Sequence, residues 1–265
     1  MRATSNGAVR DRLVARGFTL VEVAVVLLIV GLILGSMMFT LSAQVDQSNR
    51  TETLRRLESA KELLLAFAIV NGRLPCPAIC TDFPFCLAGA GGVEAGAAGA
   101  CTNSYGGFLP AVTIGYQQVD ARGYAVDAWG NRVRYAVAST VTACTGSSTL
   151  PHFTHAVNLK TNGISCVPGD LIVCSEAQAG ATCAAGNPVT NQNTVAAIVF
   201  STGKNGAFLP QSANELENYF LDGDAVFVSR LPDPADAIGG EFDDLLAWIP
   251  VGLLYGRLIS AGVLP

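Results

Sequence analysis

Phe18-Thr-Leu-Val-Glu-Val-Ala-Val-Val-Leu-Leu-Ile-Val-Gly-Leu-Ile-Leu-Gly-Ser-Met-Met-Phe-Thr-Leu41 is an apolar run of 24 residues with one charge, Glu22. As a helix it rises about 36 Å, enough for a hydrocarbon core of about 30 Å. A secretory core is shorter, roughly 7–15 residues, and leads to an A-x-A-like cleavage site. Gly35-Ser-Met-Met38 stands here instead, so the run is expected to stay attached to the C-terminal part of the chain. Arg2, Arg10, Arg12 and Arg16 against Asp11 give residues 1–17 a net charge of +3. A basic lead-in before an apolar run orients a span with its positive side inside. The expectation is a single-pass transmembrane helix with the rest of the chain outside.

The other 248 residues carry 12 basic and 20 acidic side chains, a net of −8. An acidic body disfavours generic nucleic-acid binding, which depends on Lys and Arg meeting phosphates. The whole chain of 265 residues is 50% hydrophobic but only 14% charged, which excludes a disordered or coiled-coil protein. Two histidines, His152 and His155, are too few for a His-rich metal enzyme. No Gly-x-Ser-x-Gly elbow, His-Glu-x-x-His or phosphate loop is present, so an enzyme is not expected.

Glu22 is costly inside a span unless paired or protonated, and such residues are usually functional. The alternative is a carboxylate near enough to the headgroups to stay wet. Arg16-Gly17-Phe18-Thr19-Leu20-Val21-Glu22 resembles the prepilin processing motif of type IV pilins and type II secretion pseudopilins. The resemblance implies that a prepilin peptidase cuts between Gly17 and Phe18 and that the new Phe18 amine is N-methylated. It also implies an assembly role for Glu22, which would pair with the Phe18 amine of a neighbouring subunit and set its axial register. Gly31 and Gly35 form G-x-x-x-G, a spacing that lets helices approach closely and is also simply common in membrane helices.

Proline is absent from Phe18 to Leu74, and apolar residues continue at Leu41, Val45, Leu54, Leu57, Leu64 and Ala68 with helical spacing. Glu52 can meet Arg55 and Arg56, and Glu58 can meet Lys61, on one helix face. Asn71-Gly72 and then Pro75 stop the helix. One helix from Phe18 to about Val70 would be about 80 Å long; two helices with a break near Asp46–Asn49 remain the alternative. Short apolar or alternating runs predict strands at Arg132–Val137, Leu171–Cys174, Val195–Phe200 and Ala225–Ser229. Residues 87–100, almost all Gly and Ala, read as a flexible loop.

Cys76, Cys80, Cys86, Cys101, Cys144, Cys166, Cys174 and Cys183 all come after the helix. Their even number, confined to one side of the expected span, points to disulfides in an oxidising periplasm. Cys76-x3-Cys80 is not a C-x2-C zinc knuckle. Sequence does not choose among the possible pairings.

Later segments extend the resemblance in family order. Asn71-Gly72-Arg73-Leu74-Pro75 is similar to the pseudopilin Asn-Gly-x-x-Pro stretch, and Asp127-Ala128-Trp129-Gly130-Asn131-Arg132-Val133-Arg134-Tyr135 to its Asp-x-Trp-Gly-Asn-x-x-x-Tyr segment. Ser201-Thr202-Gly203-Lys204-Asn205-Gly206 resembles its Gly-x-x-Gly turn. Phe242-Asp243-Asp244-Leu245-Leu246-Ala247-Trp248 resembles its late acidic-Trp segment. The expected fold is therefore α+β and pilin-like: a long N-terminal helix with a transmembrane first half, packed on a small antiparallel sheet, with disulfide-rich loops. The domains expected are a leader peptide (1–17), a transmembrane or filament-core helix (18–41), the periplasmic half of the helix (42–72) and a periplasmic globular head (73–265).

Between Glu215 and Asp244 there are nine acidic residues and one basic one, Arg230. Hard cations take oxygen ligands from such stretches, and the resemblance implies calcium near this acidic end. Asp222, Asp224, Asp243 and Asp244 are the candidate ligands; no EF-hand spacing is present, and a solvated acidic surface is the alternative.

The resemblance thus implies a structural subunit of a type IV pilus-like or type II secretion filament. Its expected partners are prepilin peptidase, other pilin or pseudopilin subunits and an inner-membrane assembly platform. The expected location is the bacterial inner membrane, with a cytoplasmic leader and periplasmic head, and then the filament. The 248 residues after the cut and the cysteine-rich insertions favour a minor subunit. A tip or adhesive subunit, whose head binds a surface, DNA or an exported protein, is the alternative.

Overall fold

The computed structural model describes residues 17–80, 91–97, 99–139, 150–166, 169–178, 180–207, 212–219 and 225–264, with the side chains of 36–42 left aside. Helix α1 runs Leu20–Asn71, without the break considered near Asp46–Asn49. After it come β1 (Gly96–Ala97), β2 (Ala100–Cys101), β3 (Gly107–Phe108), α2 (Ala111–Ile114), β4 (Arg134–Val137) and α3 (Ala156–Asn162). A 3-10 turn at Gly163–Ser165 leads to β5 (Ile172–Cys174), β6 (Val195–Ser201), α4 (Ala213–Asn218), β7 (Val226–Val228), β8 (Leu245–Pro250) and α5 (Val251–Ser260). The chain divides into two compact units, Met1–Asp46 and Gln47–Pro265.

The N-terminal unit corrects the principal sequence expectation. Among the described residues no helix is long and apolar enough to cross a membrane. Crossing a hydrocarbon core of about 30 Å takes roughly 20 consecutive apolar residues in one helix, and the described helices do not supply them. The transmembrane first half of the expected fold therefore fails, and so does the single-pass inner-membrane location with a periplasmic head that rested on it. What remains is a helix whose apolar residues between Phe18 and Leu34 are 43–87% exposed.

The second unit is α+β. Its main sheet has the order β3-β4-β6-β8 and is antiparallel throughout. The expected small antiparallel sheet is thus present, joined by a pair that was not foreseen: β5 and β7 lie parallel, with Ile172 opposite Val226 and Cys174 opposite Val228. Every residue of β6 is buried. Covered on both faces, it reads as a continuous apolar run rather than an alternation. Leu57, Ala60, Leu64, Leu65 and Ala68 of α1 share one core with this sheet and with Val251, Leu254, Tyr255 and Leu258 of α5. Their spacing places them on one helix face. Val45 and Leu54, expected on the same stripe, are exposed.

Polar contacts fix where α1 sits on the sheet. Arg56 Nη1 donates to the carbonyls of Val126 (3.1 Å) and Asp127 (2.7 Å), and Thr53 Oγ1 accepts from Ala128 N at 3.1 Å. Glu52 meets both Arg55 and Arg56, and Glu58 meets Lys61, as the helical spacing requires.

The Gly/Ala run is more than a loop. Its described part forms the β1–β2 hairpin, and Cys76–Cys101 staples it to the segment after α1. Gly92 has φ +70°, and a Cβ there would lie 1.9 Å from the Gly123 carbonyl oxygen, so only glycine permits this approach. A second disulfide joins Cys174 and Cys183. Cys80 and Cys166 are disulfide-bonded as well, and no described cysteine is free. Cys86 and Cys144 lie outside the described residues.

Candidate functional site

At the N-terminus, Gly17 has open space around it and Phe18 is 86% exposed, so the Gly17–Phe18 bond is accessible. Glu22 has a local role that the sequence reading missed. Its Oε2 accepts from Thr19 N (2.8 Å) and Thr19 Oγ1 (2.9 Å), while Glu22 N donates to Thr19 Oγ1 at 3.3 Å. This is a capping box, and its signal, Thr with Glu three residues later, was present in the sequence. Glu22 Oε1 takes no part in it.

In the second unit the late acidic segment folds onto α4. Ser212 opens that helix by accepting from Glu215 N at 3.2 Å, which aims Glu215 inward. Glu215, Asp243 and Asp244 then bring carboxylate oxygens within 4.8 Å of one another. Asn205 Nδ2 donates to both oxygens of Glu215, at 3.0 and 3.1 Å. Lys204 N (2.8 Å) and Asn205 N (3.3 Å) donate to Asp243 Oδ2, and Asn218 Nδ2 donates to Asp244 Oδ2 at 2.8 Å. Asp243 Oδ1 is buried and has no hydrogen-bond partner among the described residues.

Burial dominates the electrostatics of this cluster. It raises the pKa of Glu215, pushes Asp243 up to about 6, and lifts Asp244 well above the ordinary carboxylate range. The neighbouring carboxylates add to each shift, because like charges disfavour ionisation. Arg134 lies between the rings of Phe108 (5.0 Å) and Tyr219 (5.3 Å), and its burial lowers it to about 10.

Three separate sequence motifs meet here. Asp127 Oδ1 accepts from Trp129 N and Asn131 N, while its Oδ2 accepts from Ser201 Oγ at 2.6 Å. Gly203 N donates to Ser201 Oγ at 3.1 Å, and Asn131 Nδ2 donates to the Gly203 carbonyl at 2.6 Å. The Asp127–Asn131 turn, the Ser201–Gly206 turn and the Phe242–Trp248 segment are therefore one network. Through Asp127 and Ala128 it reaches Arg56 and Thr53 of α1.

Of the four candidate ligands, Asp243 and Asp244 are brought together, and Asp222 and Asp224 lie outside the described residues. Glu215, which was not among the four, joins them; its signal was a Ser-x-x-Glu cap at the start of the acidic run. The two histidines do not share a site. His152 is buried, with Nε2 2.9 Å from the Tyr255 hydroxyl, whereas His155 Nδ1 caps α3 by accepting from Asn158 N at 3.3 Å.

No family model, curated protein or solved structure matches this chain.

Proposed function

We propose that the chain is a minor structural subunit of a type IV pilus-like or type II secretion filament. A prepilin peptidase cuts it between Gly17 and Phe18, and the Phe18 amine is methylated. The observation that carries this reading is the start of α1. An accessible Gly-Phe bond and a capped glutamate head a helix whose apolar side chains from Phe18 to Leu34 are uncovered. Such a surface gains free energy by packing against apolar neighbours, and other pilin or pseudopilin subunits supply them. Glu22 Oε1, unused by the cap, takes the Phe18 amine of the adjacent subunit, and an assembly platform adds each copy. Mass spectrometry of the mature protein tests the cut: the chain should begin at methylated Phe18, and one beginning at Met1 removes the reading. Glu22→Ala should abolish incorporation into filaments.

The buried Asp243 Oδ1 favours a second statement, that calcium binds at Glu215, Asp243 and Asp244. Three carboxylates form an oxygen-only donor set suited to a hard cation. The absence of a side chain at Gly203 is what lets that oxygen sit against the turn, since a Cβ there would stand 1.9 Å from it. A bound cation would supply the positive charge that lets all three groups ionise together. Calcium should raise the melting temperature and a chelator should reverse the rise. A melt unmoved by either rejects calcium without touching the filament reading.

A further inference from the structure

A cavity of about 200 Å3 that shares no lining residue with the acidic cluster is walled by Arg73, Cys76, Glu94, Thr154, His155 and Val157 among others. It is smaller than the roughly 300–1,000 Å3 of pockets for drug-sized ligands, so its occupant is a molecule of only a few heavy atoms.

Its polar groups have capacity to spare. Arg73 Nη1 donates to Glu94 Oε2 (2.8 Å) and the Leu74 carbonyl (3.2 Å), and Nη2 donates to Glu94 Oε1 (2.7 Å). A guanidinium has five N–H groups, which leaves Nε–H and one Nη2–H of Arg73 uncommitted among the described residues. Glu94 Oε2 also accepts from Cys76 N at 3.1 Å, whereas among the described residues Oε1 accepts from Arg73 alone. Since His155 Nδ1 accepts from Asn158 N, the neutral ring carries its proton on Nε2, a further donor. The cavity residues thus hold a cation with free donors, a donor imidazole and a carboxylate oxygen with a free lone pair. The remaining wall is of small residues, and its one other side-chain hydroxyl, Thr154 Oγ1, is taken up by the Gly99 carbonyl at 2.6 Å.

A lone carboxylate would be drawn to Arg73 but repelled by Glu94, and a lone ammonium would meet the reverse. One molecule bearing both charges satisfies both residues. We infer that this cavity binds a small zwitterionic α-amino acid. Its carboxylate meets Arg73 and His155, its ammonium meets Glu94 Oε1, and its side chain faces Cys76 and Val157. The inference stands independently of the filament reading.

The test is isothermal titration calorimetry on the whole chain with L-alanine, acetate and ethylammonium as probes. L-Alanine should give saturable binding at least about tenfold tighter than either half-molecule. Glu94→Gln keeps an acceptor for Cys76 N and should remove that preference over acetate. Val157→Trp changes a side chain that is 65% exposed, and should abolish L-alanine binding with an unchanged melting temperature. No saturable heat with L-alanine overturns the inference. So does undiminished binding to the Val157→Trp variant, or a preference retained by Glu94→Gln.

Discussion

Asp243 Oδ1 fills the space in which a side chain on residue 203 would begin. A Cβ on Gly203 would stand 1.9 Å from Asp243 Oδ1, and the residue sits at φ +63°. Gly203→Ala therefore meets both a clash and a strained backbone. It should cost about 2–3 kcal/mol of stability in urea titration, and it should shift Asp243 away from Glu215. His152 offers a second residue-scale expectation. The Tyr255 hydroxyl donates to the Cys166 carbonyl and so accepts from His152 Nε2, leaving Nδ1 buried without a partner among the described residues. Burial lowers the His152 pKa from 6.5 to about 4. Between those values the unfolded chain binds the proton and the folded chain does not, so unfolding takes up protons and stability rises with pH. The contribution, of the order of 3 kcal/mol, is complete above pH 6.5 and lost as pH falls toward 4. Urea midpoints across that window should fall more steeply for wild type than for His152→Gln.

At the scale of elements, α1 was legible because its apolar positions repeat with helical period and no proline interrupts them. The four predicted strands were legible for a similar reason: Arg132–Val137, Leu171–Cys174, Val195–Phe200 and Ala225–Ser229 match β4, β5, β6 and β7 to within two residues at each end. β8 and α5 were not foreseen as elements. Leu245–Pro250 alternates in burial, but it carries straight into Val251 with no polar break. Only pairing with β6 ends the strand there. α4 is too short to show a period, yet it positions Glu215. Its cap is the handle: Ser212→Ala should cost about 1 kcal/mol and weaken any calcium-induced rise in melting temperature. Thr53→Val, which removes the acceptor for Ala128 N, should cost about 1 kcal/mol by loosening the Asp127 turn from α1.

At the scale of the whole molecule, cross-links and polar networks tie together segments distant in sequence. Cys76–Cys101 spans 25 residues and Cys174–Cys183 spans 9. Loop-closure entropy assigns roughly 3.5 and 2.5 kcal/mol to them. The Cys76→Ser, Cys101→Ser double variant should lose the larger amount in urea titration, with the β1–β2 hairpin losing amide protection first. The sequence by itself determined the helix, the buried central strand and the presence of disulfides. Each of these is written in local periodicity or residue type. Tertiary structure alone decided the disulfide pairing, the parallel β5–β7 pair and the union of three motifs around Glu215, Asp243 and Asp244. These depend on which distant backbones come within a few ångströms of one another, a quantity that no local pattern carries. It also overturned the membrane span, because length in residues established only a possible reach, while among the described residues no helix is long and apolar enough to cross a membrane.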